Sequence, residues 1–197
     1  MSIEAKSDDN PIKLQIKNMV CPRCIRVVRE ELLKLGVTVY DVQLGEALVE
    51  INNADFIDIE EALIDNGFEL LTDKEEQIVE KIKNIIIQLV RQDSETEPTM
   101  RNSDYIAQKI GMSYSSISKI FSRHETITLE KYTILQKLEH VKELLQYNQY
   151  TLSEIAYRMG YRSVQHLSNQ FKKYLDISVT DYKNQQHLPR RPIDSVM

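Results

Sequence analysis

Residues 151–174 read TLSEIAYRMGYRSVQHLSNQFKKY, and the spacing within them decides how the chain is read. Thr151 followed three residues later by Glu154 is a capping box, in which two side chains satisfy amides left open at a helix start. Leu152, Ile155, Ala156 and Met159 fall at i, i+3, i+4 and i+7, a single buried helical face. Gly160 stops that helix, since glycine takes the positive φ that ends one. Ser163 caps a second helix whose Val164, Leu167 and Phe171 share an inner face. Gln165, His166, Asn169, Lys172 and Lys173 lie outside. A capped helix, a short turn and a second helix that is polar and basic outside make a helix-turn-helix.

The pattern recurs some fifty residues earlier. Asn102 is expected to cap a helix carrying Ile106, Ala107 and Ile110, ended by Gly111. Ser113 caps another with Ile117, Ile120 and Phe121 inward. Between the two copies Thr128 opens a long helix through Tyr132, Leu135, Leu138, Val141, Leu144 and Leu145, closed at Asn148, Gln149 and Tyr150. At ~1.5 Å per residue it spans about 25 Å. Upstream, residues 74–92 form a helix with Ile78, Ile82, Ile85, Ile86 and Leu89, and the acidic segment 93–99, with Pro98, is a connection.

These residues resemble the DNA-binding domain of the AraC family of transcription regulators. LSEIAYRMGY and LSNQFKKYLDISVTDYK carry the likeness, with EKYTILQKLEHVKELL ahead of them and DYIAQKIGMSYSSISKIFSR as the first unit, over about residues 76–184. Three positions depart from the family. Val179 stands where it usually has Pro, His124 and Glu125 where it has a Gly turn, and Lys137 where its linking helix has Arg. The resemblance implies double-stranded DNA as the partner, entered through the major groove. Ser115, Ser116 and Lys119 then correspond in register to Gln165, His166 and Asn169 as base-reading candidates, numbered from the inward Ile117 and Leu167. Gln and Asn can bond adenine edges bidentately, whereas Ser reads little by itself. Arg123, Arg158, Arg162, Lys172 and Lys173 suit phosphates, which position a protein without reading sequence. For one helix, a solvated polar face explains such residues equally well; two in tandem on a matching scaffold favour DNA. Two recognition helices reach successive major grooves if separated by about one turn, ~34 Å. One copy could then span two turns, so dimerisation is not required. A homodimer and RNA polymerase are further candidate partners.

The first half reads differently. Residues 11–19 alternate Ile12, Leu14 and Ile16 with Lys13, Gln15 and Lys17, the period of a half-buried strand. Cys21, Pro22, Arg23 and Cys24 follow, and Ile25, Val28, Leu32 and Leu33 mark a helix ended by Gly36. Residues 37–44 and 47–51 form a hairpin turning at Gly45 and Glu46, residues 57–65 a second helix, and residues 68–71 a fourth strand. The order βαββαβ is ferredoxin-like. NMVCPRCIRVVREELLKLG and ALIDNGFEL are similar to the heavy-metal-associated domain of copper chaperones and metal-transporting ATPases, over roughly residues 11–73.

That resemblance implies a metal site at Cys21 and Cys24, with Met19 as an added candidate. A strand-to-helix junction favours thiolate, and Arg23 and Arg26 add positive potential. All four histidines (His124, His140, His166 and His187) lie in the other half. A closed zinc site needs four ligands, and two sulfurs instead suit Cu(I) or another thiophilic ion of low coordination. A redox pair, and small buried residues in a fold used for dimerisation, are the alternatives.

Composition sets the outer limits. Residues 1–100 carry 11 Lys+Arg against 21 Asp+Glu, and residues 101–197 carry 14 against 9, so the second half is the basic one. No apolar run approaches the ~18 residues of a membrane span, and the polar, acidic start is not a signal peptide. The expectation is a cytoplasmic α+β protein: a tail to residue 10, a ferredoxin-like sensor domain over 11–73, an all-α tandem helix-turn-helix domain over 74–185, and a tail over 186–197. Its function is then sequence-specific transcription regulation, with regulation through protein contact or thiol redox, or metal carriage, as alternatives. No hydrolase triad, phosphate loop or carboxylate pair supports an enzyme.

Overall fold

The computed structural model describes residues 11–51, 54–91 and 102–184. The expected tails at 1–10 and 186–197, the connection at 93–99 and Gln92 lie outside them. Residues 1–84 and 85–197 form two compact units.

In the first unit, β1 (Ile12–Lys17), α1 (Pro22–Lys34), β2 (Thr38–Gln43), β3 (Glu46–Glu50), α2 (Phe56–Asp65) and β4 (Glu69–Leu70) follow in the expected order. The sheet is antiparallel, in the order β2-β3-β1-β4. Alternation along β1 puts Leu14 and Ile16 inside, where they join Val28, Leu32, Val42, Val49, Ile59 and Leu63 in the core. Burial of each such side chain stabilises the unit by ~1.5–3 kcal/mol relative to exposure. The outer positions form ion pairs, Lys13 with Glu46 at 3.1 Å and Lys17 with Glu69 at 2.8 Å. Exposed pairs of this kind are worth ~0–1 kcal/mol each. The hairpin turns one residue earlier than expected, at Leu44 and Gly45, because Gln43 pairs directly with Glu46.

Helix α3 (Lys74–Arg91) begins in the first unit. The boundary read from sequence, between residues 73 and 74, therefore moves into this helix. The reason is polar. Gln77 Nε2 donates to the Leu71 carbonyl at 2.8 Å, and Glu80 Oε1 accepts from the Asn18 amide at 3.0 Å. Asn84 lies against Gly45. Periodicity gives α3 a single apolar face and carries no sign of these attachments.

The second unit takes the rest of α3, then α4 (Asn102–Ile110), α5 (Tyr114–His124), α6 (Leu129–Tyr147), α7 (Leu152–Arg158), α8 (Val164–Leu175) and α9 (Val179–Asn184). Consecutive helices from α4 to α9 pack on one another. Asn102 is the first residue of α4 rather than its cap. Ile117, Phe121, Leu129, Leu138, Ile155, Leu167 and Phe171 are fully buried. The Phe121 and Tyr132 rings meet at 5.4 Å, and those of Phe171 and Tyr182 at 5.5 Å. The three departures from the resembled family fit locally. Glu125 ends α5 in extended backbone at φ −113°, so no glycine is needed there. Val179 is the first residue of α9, a position that Pro also suits. Lys137 bonds a carbonyl, as described below. None of the described helices is long and apolar enough to cross a membrane.

Candidate nucleic-acid interface and thiol loop

Each helix-turn-helix is built from local caps. Ser113 Oγ accepts from the Ser116 amide at 3.2 Å and opens α5; Ser163 Oγ accepts from the His166 amide at 3.1 Å and opens α8. The capping box at α7 is complete. The Thr151 amide donates to Glu154 Oε2 at 2.7 Å, and the Glu154 amide donates back to Thr151 Oγ1 at 3.3 Å. Thr128 caps α6 through the Lys131 amide at 3.2 Å. Such caps satisfy backbone amides left open in the first turn of each helix.

Ile117 and Leu167 point inward, as the register requires, which exposes Ser115 and Lys119 on α5 and Gln165, His166 and Asn169 on α8. The two faces differ. Ser115 and Ser116 both lie within hydrogen-bond reach of Ser113 Oγ, at 3.0 and 2.8 Å, so their hydroxyls belong to the cap. Gln165 Nε2 instead donates to Asn169 Oδ1 at 2.7 Å, a joined pair of amides on the open face. Among the phosphate candidates, Arg123, Arg162, Lys172 and Lys173 are exposed. Arg158 is half-buried, its guanidinium 4.2 Å from the centre of the Tyr150 ring.

Both helix-turn-helices are fastened to α6, and the residues that do this escaped the sequence reading. Tyr114, at the start of α5, donates its hydroxyl to Glu130 Oε1 at 3.1 Å. Burial, with the Glu130 charge beside it, pushes this phenol up to about 12. Lys137 Nζ donates to the Met159 carbonyl at 3.0 Å, tying α6 to the turn of the second helix-turn-helix. Burial lowers the pKa of this ammonium. Further along α6, Glu143 takes Arg91 at 2.9 Å and His140 at 2.8 Å. Only the Lys-for-Arg departure marked any of these in the sequence.

In the first unit, Cys21 is the residue before α1 and Cys24 lies in its first turn. Both are free thiols, half-buried, with Sγ atoms 3.5 Å apart. Burial opposes ionisation of Cys21, but the Cys24 amide and thiol, with the Arg23 amide and charge, outweigh it and lower its pKa. Burial raises that of Cys24, whose Sγ lies 3.9 Å from the Asn18 carbonyl. Met19 is fully buried in the hydrophobic core, against which Cys24 packs. Among the described residues no three His, Cys, Asp or Glu cluster to hold a metal ion. The donor set thus fits an ion of low coordination held by two thiolates, and does not fit a closed four-ligand zinc site.

Comparison with known proteins bears on the second unit. Residues 106–185 match the family model described as a helix-turn-helix domain. The chain is 22% identical over 112 residues to the lactose operon transcription activator of Staphylococcus xylosus, covering 53% of this chain and 40% of that protein. It is 25% identical over 183 residues to the uncharacterized HTH-type transcriptional regulator YtdP of Bacillus subtilis (strain 168), covering 90% of this chain and 23% of that one. The chain therefore spans less than half the length of either relative. Among solved structures it is similar to the C-terminal domain of AraT, a response regulator from Geobacillus stearothermophilus, with TM-score 0.48 and 21% identity over 61% of this chain and 94% of that chain. The match to a helix-turn-helix domain thus covers the capped, paired helices from residue 106 onward.

Proposed function

We propose that the chain is a sequence-specific transcription regulator of the AraC family that binds double-stranded DNA with α5 and α8 in successive major grooves. One observation carries this reading: two capped helices with polar, exposed outer faces are fastened to the same long helix, through Tyr114 and Glu130 on one side and Lys137 and Met159 on the other. The 19 residues of α6 span about 28 Å, which with the widths of the flanking helices suits a separation of about one DNA turn, ~34 Å. Gln165, His166 and Asn169 read bases, with Lys119 and the serines contributing less, and Arg123, Arg162, Lys172 and Lys173 hold phosphates. Arg158, stacked on Tyr150, serves phosphate with restricted reach.

The first unit is the sensor of this regulator. Its element order and its strand order β2-β3-β1-β4 support a ferredoxin-like, heavy-metal-associated-like domain. Cys21 and Cys24 would hold a thiophilic ion such as Cu(I), which supplies positive charge and keeps both sulfurs as thiolates. The chain's own contribution is the helix start that lowers Cys21 and the Arg23 charge beside it. RNA polymerase is the partner through which DNA occupancy changes transcription, and a homodimer would extend the site. A second reading, thiol redox sensing at the same pair, is favoured by the 3.5 Å approach and the opposite shifts of the two thiols.

The test is a mobility-shift titration on the chain's own upstream DNA, with and without Cu(I), for the native protein and for Cys21→Ser with Cys24→Ser. A shift that changes with Cu(I) only in the native protein is expected. A shift indifferent to both removes metal sensing, and no shift in any state removes the regulator.

A further inference from the structure

Tyr161 follows Gly160, which sits at φ +69° in the turn between α7 and α8. It is half-buried, and its side chain reaches α8 at two places one turn apart. The hydroxyl donates to Gln170 Oε1 at 2.7 Å, and the ring meets the His166 imidazole edge-on, centroids 5.4 Å apart at 80°. The ring is itself held. The Tyr161 amide donates to the Ala156 carbonyl at 2.8 Å. Lys137 Nζ stands 5.8 Å from the ring centre while bonding the carbonyl of Met159. Burial raises the phenol's pKa well above its ordinary value, so it remains a donor through the physiological range.

His166 is exposed, and without a neighbour its ring would sample several rotamers. Tyr161 leaves it an edge to rest on beside the amide pair of Gln165 and Asn169. The first helix-turn-helix lacks this arrangement. Between Gly111 and the cap Ser113 it has only Met112, where the second has Tyr161 and Arg162 between Gly160 and Ser163, and Ser116 stands where His166 does. The difference between the two readers therefore lies in the turn as well as on the helix.

Resting on the reading of α8 as a base reader, we infer that Tyr161 is a positioning residue for DNA specificity, whose ring sets the imidazole of His166 against one base pair. Preorganisation of this kind acts on discrimination between sequences more than on attraction to the phosphate backbone. Tyr161 touches no base itself.

The experiment selects duplexes from a random-sequence library with the native full-length chain. Affinities are then measured for the selected duplex, its single-base variants and a scrambled duplex. Four proteins are compared: Tyr161→Leu, Tyr161→Phe, His166→Ala, and Tyr161→Leu with His166→Ala. Tyr161→Leu is expected to lose roughly tenfold in discrimination, the scale of one good base contact, at the same base pair that His166→Ala relaxes. Affinity for scrambled DNA should be retained. Tyr161→Phe, which keeps the ring, should rescue that base preference, and the double variant should lose no more than His166→Ala alone. Equal losses on selected and scrambled DNA, or losses of the two single variants that multiply in the double, would overturn the proposal. Circular dichroism melting of each variant separates these outcomes from unfolding, and a variant that melts early is replaced by Tyr161→Met in the same comparison. If the native chain enriches no sequence, the DNA-reading assignment itself fails, and this inference with it.

Discussion

Gln165 and Asn169, one helical turn apart on α8, are joined by a hydrogen bond of 2.7 Å from Nε2 to Oδ1. An amide pair held this way presents a preformed array of donors and acceptors, and it leaves the second amide oriented when the first is engaged by a base. Neither residue is occupied by capping, in contrast to Ser115 and Ser116 on α5. On the proposed reading, the second helix-turn-helix is expected to be the stronger reader, with the first contributing mainly position.

Substitution should separate the two kinds of contact. Gln165→Ala is expected to cost about 1–3 kcal/mol on the cognate duplex and little on random DNA, while Lys172→Ala weakens both alike and lowers the salt slope by about one. Titrations at several salt concentrations check this. Equal losses on both duplexes for both variants would show that the reading residues lie elsewhere.

The capping box of α7 gives a prediction for stability and its pH dependence. Thr151→Ala should destabilise the second unit by about 1 kcal/mol at neutral pH. The Thr151 backbone amide first, and its hydroxyl second, hold the Glu154 carboxyl below its ordinary 4.5. A carboxyl depressed in the folded state contributes stability fully above 4.5, and that contribution is lost as pH falls through the lowered value. Glu154→Gln should therefore flatten the acid limb of stability in urea denaturation, and an unchanged limb would remove the capping box from the account.

Two glycines in the first unit distinguish backbone strain from crowding. Gly36 and Gly45 both take positive φ, at +75° and +87°, but a Cβ on Gly45 would lie 2.7 Å from Asn84 Nδ2 while none of the described atoms comes within 4 Å at Gly36. Asn84 is buried at 4% exposure. Alanine should cost about 1 kcal/mol at Gly36 and a further ~1–3 kcal/mol at Gly45, where the added methyl overpacks α3 against the hairpin. Equal costs in denaturant titrations would mean that α3 does not hold Asn84 there.

The caps and faces were legible in the sequence because both are local. A Ser or Thr three residues before a satisfied amide, and apolar residues at helical spacing, need no knowledge of the partner. The attachments that turn helices into a reader were not legible for the converse reason. Tyr161 and Gln170, Lys137 and Met159, and Tyr114 and Glu130 are paired by folding, and a tyrosine in a turn looks like any other half-exposed aromatic. The first unit's extent was misplaced on the same ground. Glu80 and Asn84 interrupt the apolar face of α3 as buried polar residues, which pattern alone assigns to solvent. Met19 was named as a candidate ligand from a motif, and that motif carried no sign of its burial in the core.

The most direct test of the account is the site that the full-length chain selects from random-sequence DNA. The expected result is an enriched sequence with two base-specific blocks about one helical turn apart, ~10 base pairs, bound at least ~10³-fold more tightly than a scrambled duplex at physiological salt, and with the stricter preference in the block contacted by α8. Selection that enriches no sequence, or enriched and scrambled duplexes bound equally, would contradict it.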